Sequence, residues 1–122
     1  KYFFTNIKRH GALLAKGRML GIQFDTLFTD ELYFKISRHA IAMATRIRSI
    51  FEKHGIAIAY DSPTNQQFVV LSPALYEAIS QKVAFEIWER KSEHEIICRF
   101  VTSWATKEEE LDELDHILQA YA

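Results

Sequence analysis

The chain has 122 residues, enough for one domain with its own core and too few for two. Its 15 basic and 16 acidic residues leave a net charge of -1, so the electrostatic footprint of a nucleic-acid binder is missing. No apolar run approaches the roughly 20 residues a membrane span needs, so no membrane partner is expected.

Lys1 opens directly into Tyr2-Phe3-Phe4 without a small-residue cleavage pattern, so no secretory leader is expected. The first residue is not methionine, which suggests a piece of a longer polypeptide. Cys98 is the one cysteine, so an internal disulfide and a CxxC site are both excluded. It reads as a small core residue and suits a reducing, cytoplasmic setting.

In chain order, residues 6–28 read as a first helix. Ile7, Leu13, Leu14, Leu20, Phe24, Leu27 and Phe28 supply its apolar positions. Gly11, Gly17 and Gly21 each cost about 1 kcal/mol against alanine in a helix interior, so close approach of another backbone or a ligand is expected there. Residues 30–54 read as a second helix, capped by Thr29, with Asp30 and Glu31 at the positive end of its dipole. Leu32, Ile36, Ala40, Met43, Ile47 and Ile50 recur at spacings of three and four, and Gly55 follows as the C-cap.

Ile56–Tyr60 reads as a strand, residues 61–65 as a turn and Gln67–Leu71 as a second strand. Ser72-Pro73 starts a third helix whose inner face is Leu75, Ile79 and Val83. Phe85–Glu89 and Glu95–Ser103 read as third and fourth strands joined by a polar turn into a hairpin. Thr106 and Glu109 form a capping box for the last helix, with Leu111, Leu114, Leu118 and Tyr121 as its stripe. The fold class is therefore α+β: a small antiparallel-rich sheet of about four strands covered by helices.

Among residues that could carry chemistry, Arg99 is the most informative. Strand alternation puts Ile97, Arg99 and Val101 on one face of the fourth strand and Ile96, Cys98, Phe100 and Thr102 on the other. An arginine between two apolar residues on its own face is expensive to bury unless an anion meets it, and its planar fork matches a carboxylate. Three readings stay open: a carboxylate clamp, a structural salt bridge, or an arginine reaching water. Lys8, Lys16 and Arg18 lie along the glycine-rich first helix, with Lys8 near its start. They read either as contacts to a phosphate or as a solvated face. Asn65 reads as a turn residue and Trp104 as core or interface. Strand alternation puts Glu86 and Glu89 on opposite sides, which excludes a catalytic carboxylate pair. The five histidines match no metal-ligand spacing, so no metal site is expected.

Three stretches together resemble the low-specificity threonine aldolases. Lys8 to Phe28 is similar to that family's segment after the lysine that carries its cofactor. The matching residues are Lys8, Gly11, Leu13, Leu14, Lys16, Arg18 and Gly21-Ile22-Gln23-Phe24. Thr64-Asn65-Gln66 resembles the family's Thr-Asn turn. Arg99-Phe100-Val101-Thr102-Ser103-Trp104-Ala105-Thr106 resembles its final strand and helix cap. Two positions depart: Ala105 stands where the family often has aspartate, and Gly17 replaces a larger residue.

The resemblance implies the C-terminal domain of a fold-type-I enzyme that depends on pyridoxal phosphate. Residues 1–28 would be a helix linking to a large cofactor-binding domain outside this chain, and residues 29–122 the small C-terminal domain. The lysine carrying the cofactor would lie upstream of Lys1, so this chain alone is expected to be inactive, with no catalytic residue of its own. Arg99 matches the family arginine that holds the substrate α-carboxylate, and Lys8 and Lys16 match positions near the cofactor phosphate or the subunit interface. The implied activity is cleavage of β-hydroxy-α-amino acids to glycine and an aldehyde. The implied partners are an amino-acid substrate and further copies of the same enzyme as a homo-oligomer. An aminotransferase or β-eliminating lyase on the same scaffold, or a free-standing small-molecule-binding or dimerisation module, are the alternatives.

Overall fold

The protein's structure, a computed structural model, describes residues 1–121. The chain divides into two compact units, Lys1–Lys35 and the residues from Ile36 onward.

The first unit holds α1 (Phe3–Arg9), α2 (Gly17–Phe28) and a 3-10 turn over Thr29–Glu31. Neither helix buries a residue. Residues 6–28 are thus two helices and not the single one expected, and Gly11 is the reason. It adopts φ +67°, its N–H donates to Lys8 O at 3.1 Å, and the Ala12 N–H reaches back to Ile7 O at 2.9 Å. That pair of bonds is the Schellman closure, which needs a left-handed residue and so favours glycine. The other two glycines meet no second backbone. A side chain at Gly21 would meet nothing within 4 Å, and one at Gly17 only Leu14 Cβ at 3.6 Å. Close approach of another backbone is therefore absent at both among the described residues. Phe24, Phe28, Tyr33 and Phe34 stack on one another, with Phe28 and Tyr33 centroids 5.4 Å apart.

The long helix α3 (Leu32–Lys53) starts two residues later than expected. Asp30 and Glu31 take positive φ, and the Thr29 hydroxyl donates back to Asp25 O at 2.6 Å instead of capping α3. Its end is as read from the sequence. Gly55 at φ +70° donates to Glu52 O, and the Ile56 N–H reaches Phe51 O at 2.9 Å, a second Schellman closure.

The second unit continues with β1 (Ile58–Tyr60), β2 (Gln66–Leu71), α4 (Pro73–Ser80), β3 (Glu86–Arg90), β4 (Ile96–Val101) and α5 (Glu108–Gln119). The four strands form one antiparallel sheet in the order β1-β2-β4-β3, which is the α+β class expected. Ser72 caps α4 as expected, accepting from the Leu75 N–H, with Pro73 in the first turn.

One face of the sheet carries the core. Met43, Ile47, Ile50 and Phe51 of α3, Ile79 of α4, and Leu111, Leu114 and Leu118 of α5 pack with Val69 and Leu71 of β2 and with Ile96, Cys98 and Phe100 of β4. Phe100 sits between Phe51 and Phe85, with centroids 4.8 and 4.6 Å away. Ile117 joins the α5 stripe, whereas Tyr121 is half exposed. The α5 cap is displaced one residue from the expected Thr106–Glu109 box. The Thr106 hydroxyl already accepts from the Ser103 N–H, so the Lys107 N–H takes the N-cap position and donates to Glu110. Asn65 turns the chain as expected but bonds across the sheet. Its Nδ2 donates to Thr102 O at 2.7 Å, while the buried Thr102 hydroxyl donates to Ala40 O on α3.

At the end of α3, Asp115 of α5 receives Lys53 Nζ at 2.6 Å and His54 Nε2 at 2.6 Å. Lys53, then His54, hold its carboxyl below the ordinary value. A depressed folded-state pKa stabilises above the unfolded value, and that stabilisation fades as pH falls through the folded value. Asp115→Asn should therefore lower the melting temperature at neutral pH, and its deficit should vanish in acid below the normal carboxylate range; a deficit independent of pH would refute the linkage. Gly55→Ala should cost about 1–2 kcal/mol by urea unfolding, because it forces a Cβ into the left-handed region. Gly55→Asn should cost less, and alanine tolerated as well as asparagine would contradict this account of the cap.

Candidate carboxylate-binding site

Within the second unit the helices pack on one face of the sheet, and Arg99 stands on the other. Period-two alternation sends Ile96, Cys98 and Phe100 into the core and Ile97, Arg99 and Val101 to the other side. Phe68 of β2 and Glu86 of β3 lie directly across from Arg99 on its two neighbouring strands. Between Ile87 and Glu89 the register slips, which makes Trp88 the extra residue of a bulge. After that slip Glu89 stands opposite Ile97, so Glu86 and Glu89 face the same side. This corrects the expectation that they face opposite ways. They still form no catalytic pair, since each is engaged elsewhere: Glu86 with Arg99, and Glu89 with the Tyr60 hydroxyl at 3.1 Å. Glu89 holds that phenol's pKa above its ordinary value.

An aromatic row crosses the face. Tyr60 meets Phe68 at 5.6 Å, Phe68 meets Trp88 at 5.3 Å, and the Arg99 guanidinium lies 5.2 Å from the Trp88 ring centroid. Arg99 Nη1 donates to Gln66 Oε1 at 3.2 Å, and Nη2 donates to the Glu86 carboxylate. Nε is buried and has no acceptor among the described residues. A buried N–H without a partner costs roughly 1–3 kcal/mol, so the guanidinium is held in place but incompletely satisfied. It borders a cleft of about 260 Å³ lined by Ala84, Phe85, Glu86, Arg99 and Val101. Of the three readings of Arg99, the structure shows the ion pair, and the side chain remains 26% exposed. The cleft leaves room beside the pair for a small anion.

The lysines belong to the first unit, described by itself. Lys8 is in the last turn of α1, not near a helix start, with Nζ over the Phe4 ring at 5.0 Å. It sits at the carbonyl end of the dipole, where helix N–H groups give an anion no help. Lys16 is the N-cap of α2, with Arg18 in the following turn, no acidic residue in the first turn and no side-chain cap on the free N–H groups. That arrangement suits an anion. Trp104 is 70% exposed, so its reading as core fails. No cluster of metal-ligand residues occurs among the described residues. No helix of the described residues is long and apolar enough to cross a membrane.

Sequence reasoning missed Glu86, Gln66 and Trp88 as partners of Arg99. The hairpin expected over the third and fourth strands carried part of this information, but a strand's own alternation does not show its register against its neighbours. Cys98 is buried as expected, and burial pushes its thiol up to about 11. It should resist alkylation at neutral pH in the folded chain and react promptly in denaturant. Fast labelling under native conditions would show that the core over β4 opens.

The chain is similar to a solved threonine aldolase structure from Leishmania major, with 35% sequence identity and a TM-score of 0.86. The match covers 94% of this chain and 34% of that one, so the chain spans about a third of the length of the structure it matches. No protein-family model and no curated protein matches the chain. The resemblance read from three short stretches thus extends along nearly the whole chain.

Proposed function

We propose, on the premise that this chain is a threonine-aldolase-like domain, that it is the C-terminal small domain of a lyase cleaving β-hydroxy-α-amino acids to glycine and an aldehyde. The observation that carries this reading is the placement of Arg99. A guanidinium held at two nitrogens beside a cleft supports a role in receiving a carboxylate that the rest of the enzyme would present.

Arg99 would bind the substrate α-carboxylate through its fork. Gln66 and Trp88 keep that fork in one orientation, by a hydrogen bond and by the ring beneath it. A carboxylate held in two parallel bonds cannot rotate freely, so the bonds at Cα are held in fixed directions and one of them is selected for cleavage. Pyridoxal phosphate, when bound, supplies the electron sink that takes up the charge left on Cα. Within this chain Lys16 and Arg18, at the uncapped start of α2, fit a phosphate. Lys8 fits less well, since it sits at the opposite end of its helix and lies over Phe4. The lysine that carries the cofactor would come from the large domain preceding residues 1–28, which in this reading form the link to it. This chain alone would then be inactive. A homo-oligomer and a cytoplasmic setting complete the reading, the latter supported by a single, buried, free thiol.

The test is the complete enzyme assayed with L-threonine. Glycine plus acetaldehyde is the expected outcome, whereas transfer of the amino group to a keto acid would replace the lyase with an aminotransferase. Arg99→Lys in that enzyme should lower kcat/KM by roughly ten- to a hundredfold, the value of one charge-assisted hydrogen bond lost with the fork. Unchanged kinetics would leave Arg99 a structural residue.

A further inference from the structure

Glu86 has no part in the proposed chemistry, yet it occupies the group on which that chemistry rests. Nη2 and Nε share one edge of a guanidinium, and a carboxylate seated squarely on that edge takes a bond from each. Here the Glu86 carboxylate engages Nη2 alone, and Nε is left buried without an acceptor. Gln66 holds the other side through Nη1. The arginine is therefore oriented by one neutral partner and half-used by one charged partner, with Nε the one nitrogen left without an acceptor among the described residues.

We propose that Glu86 is an internal stand-in for the ligand carboxylate, holding Arg99 when the site is empty and giving way when a carboxylate binds. Three observations support this assignment. The Glu86 side chain is 67% exposed, so it can swing into water without uncovering core. The cleft of about 260 Å³ is lined by both Glu86 and Arg99, so an entering anion meets both residues. A ligand using the full edge would also satisfy Nε, which Glu86 leaves unpaired, and so gains a bond over the residue it displaces. The cost falls on affinity, because every ligand must first break an ion pair. In return, the arginine keeps a charged partner and a fixed orientation between ligands. Glu86 is in this sense a specificity and positioning residue that touches Arg99 and not the reacting atoms.

The proposal rests on the carboxylate-clamp reading of Arg99 and is tested without asking for turnover. Trp88 lies beside the guanidinium and serves as the reporter; Trp104, the other tryptophan, is replaced by phenylalanine in every sample. Acetate is titrated at constant ionic strength into the full 122-residue chain, and its Trp88 fluorescence is followed. Glu86→Gln and Glu86→Ala should each bind acetate at least tenfold more tightly than the parent, and Arg99→Leu should abolish the response. Equal affinity in the parent and both Glu86 variants overturns the proposal, as does the absence of acetate binding in all of them. Tighter acetate binding without glycine and acetaldehyde from the complete enzyme would keep the stand-in and discard the lyase. The reverse pair of results would keep the lyase and discard the stand-in.

Discussion

Phe100 and Arg99 are neighbours on β4, and the two-residue period of a strand sends them to opposite faces of the sheet. Phe100 lies between Phe51 and Phe85 in the core that α3 and α5 complete. Burying it sets which way the strand faces, since a slip of one residue would drive the guanidinium into the apolar core. The hydrophobic effect thus aims the arginine indirectly, by deciding where its neighbour goes. The bond from Thr102 to Ala40 and the paired bonds between Thr102 and Asn65 then hold the end of β4 against α3 and the start of β2.

The face opposite the core is finished by an irregularity. Without the slip at Trp88, Glu89 would stand opposite Ile96 and point to the core side, away from Glu86 and from the Tyr60 hydroxyl it now accepts from. One extra residue in β3 therefore brings Glu89 to the side that Glu86 and Arg99 already share. Bulges are often found where a side chain must be re-aimed, and this one re-aims Glu89.

Legibility from the sequence followed the strength of the local rule. The second helix, its glycine end, the Ser72-Pro73 start of α4 and the faces of β4 were readable because each rests on one strong preference: helical spacing, a left-handed cap, an N-cap with proline, or alternation. The first helix was misjudged because Gly11 fits both a packed helix interior and a helix end, and only its φ separates the two. The α5 cap was misplaced by one residue because Thr106 is a good cap whose hydroxyl is already taken by Ser103. Arg99 stood out by type and setting, but its partners did not, since a strand's own alternation does not show its register against β2 and β3. Lys8 failed as a helix-start cation for the same reason that the first helix failed.

The two units differ in how far their sequences explain themselves. Every strong apolar stripe of the second unit has a buried counterpart, from Met43 on α3 to Leu118 on α5. In the first unit Phe3, Phe4, Leu13, Leu14 and Met19 are half exposed or more, and α1 and α2 bury nothing. Side chains of this size contribute roughly 1.5–3 kcal/mol each when buried, and here that remains unrealised. Helices this short are marginal in water on propensity alone. The first unit thus has the apolar surface of a packed element without the packing. The second unit shows the same pattern on a smaller scale: its core is complete, and at Arg99 one guanidinium nitrogen, Nε, is buried with no acceptor among the described residues.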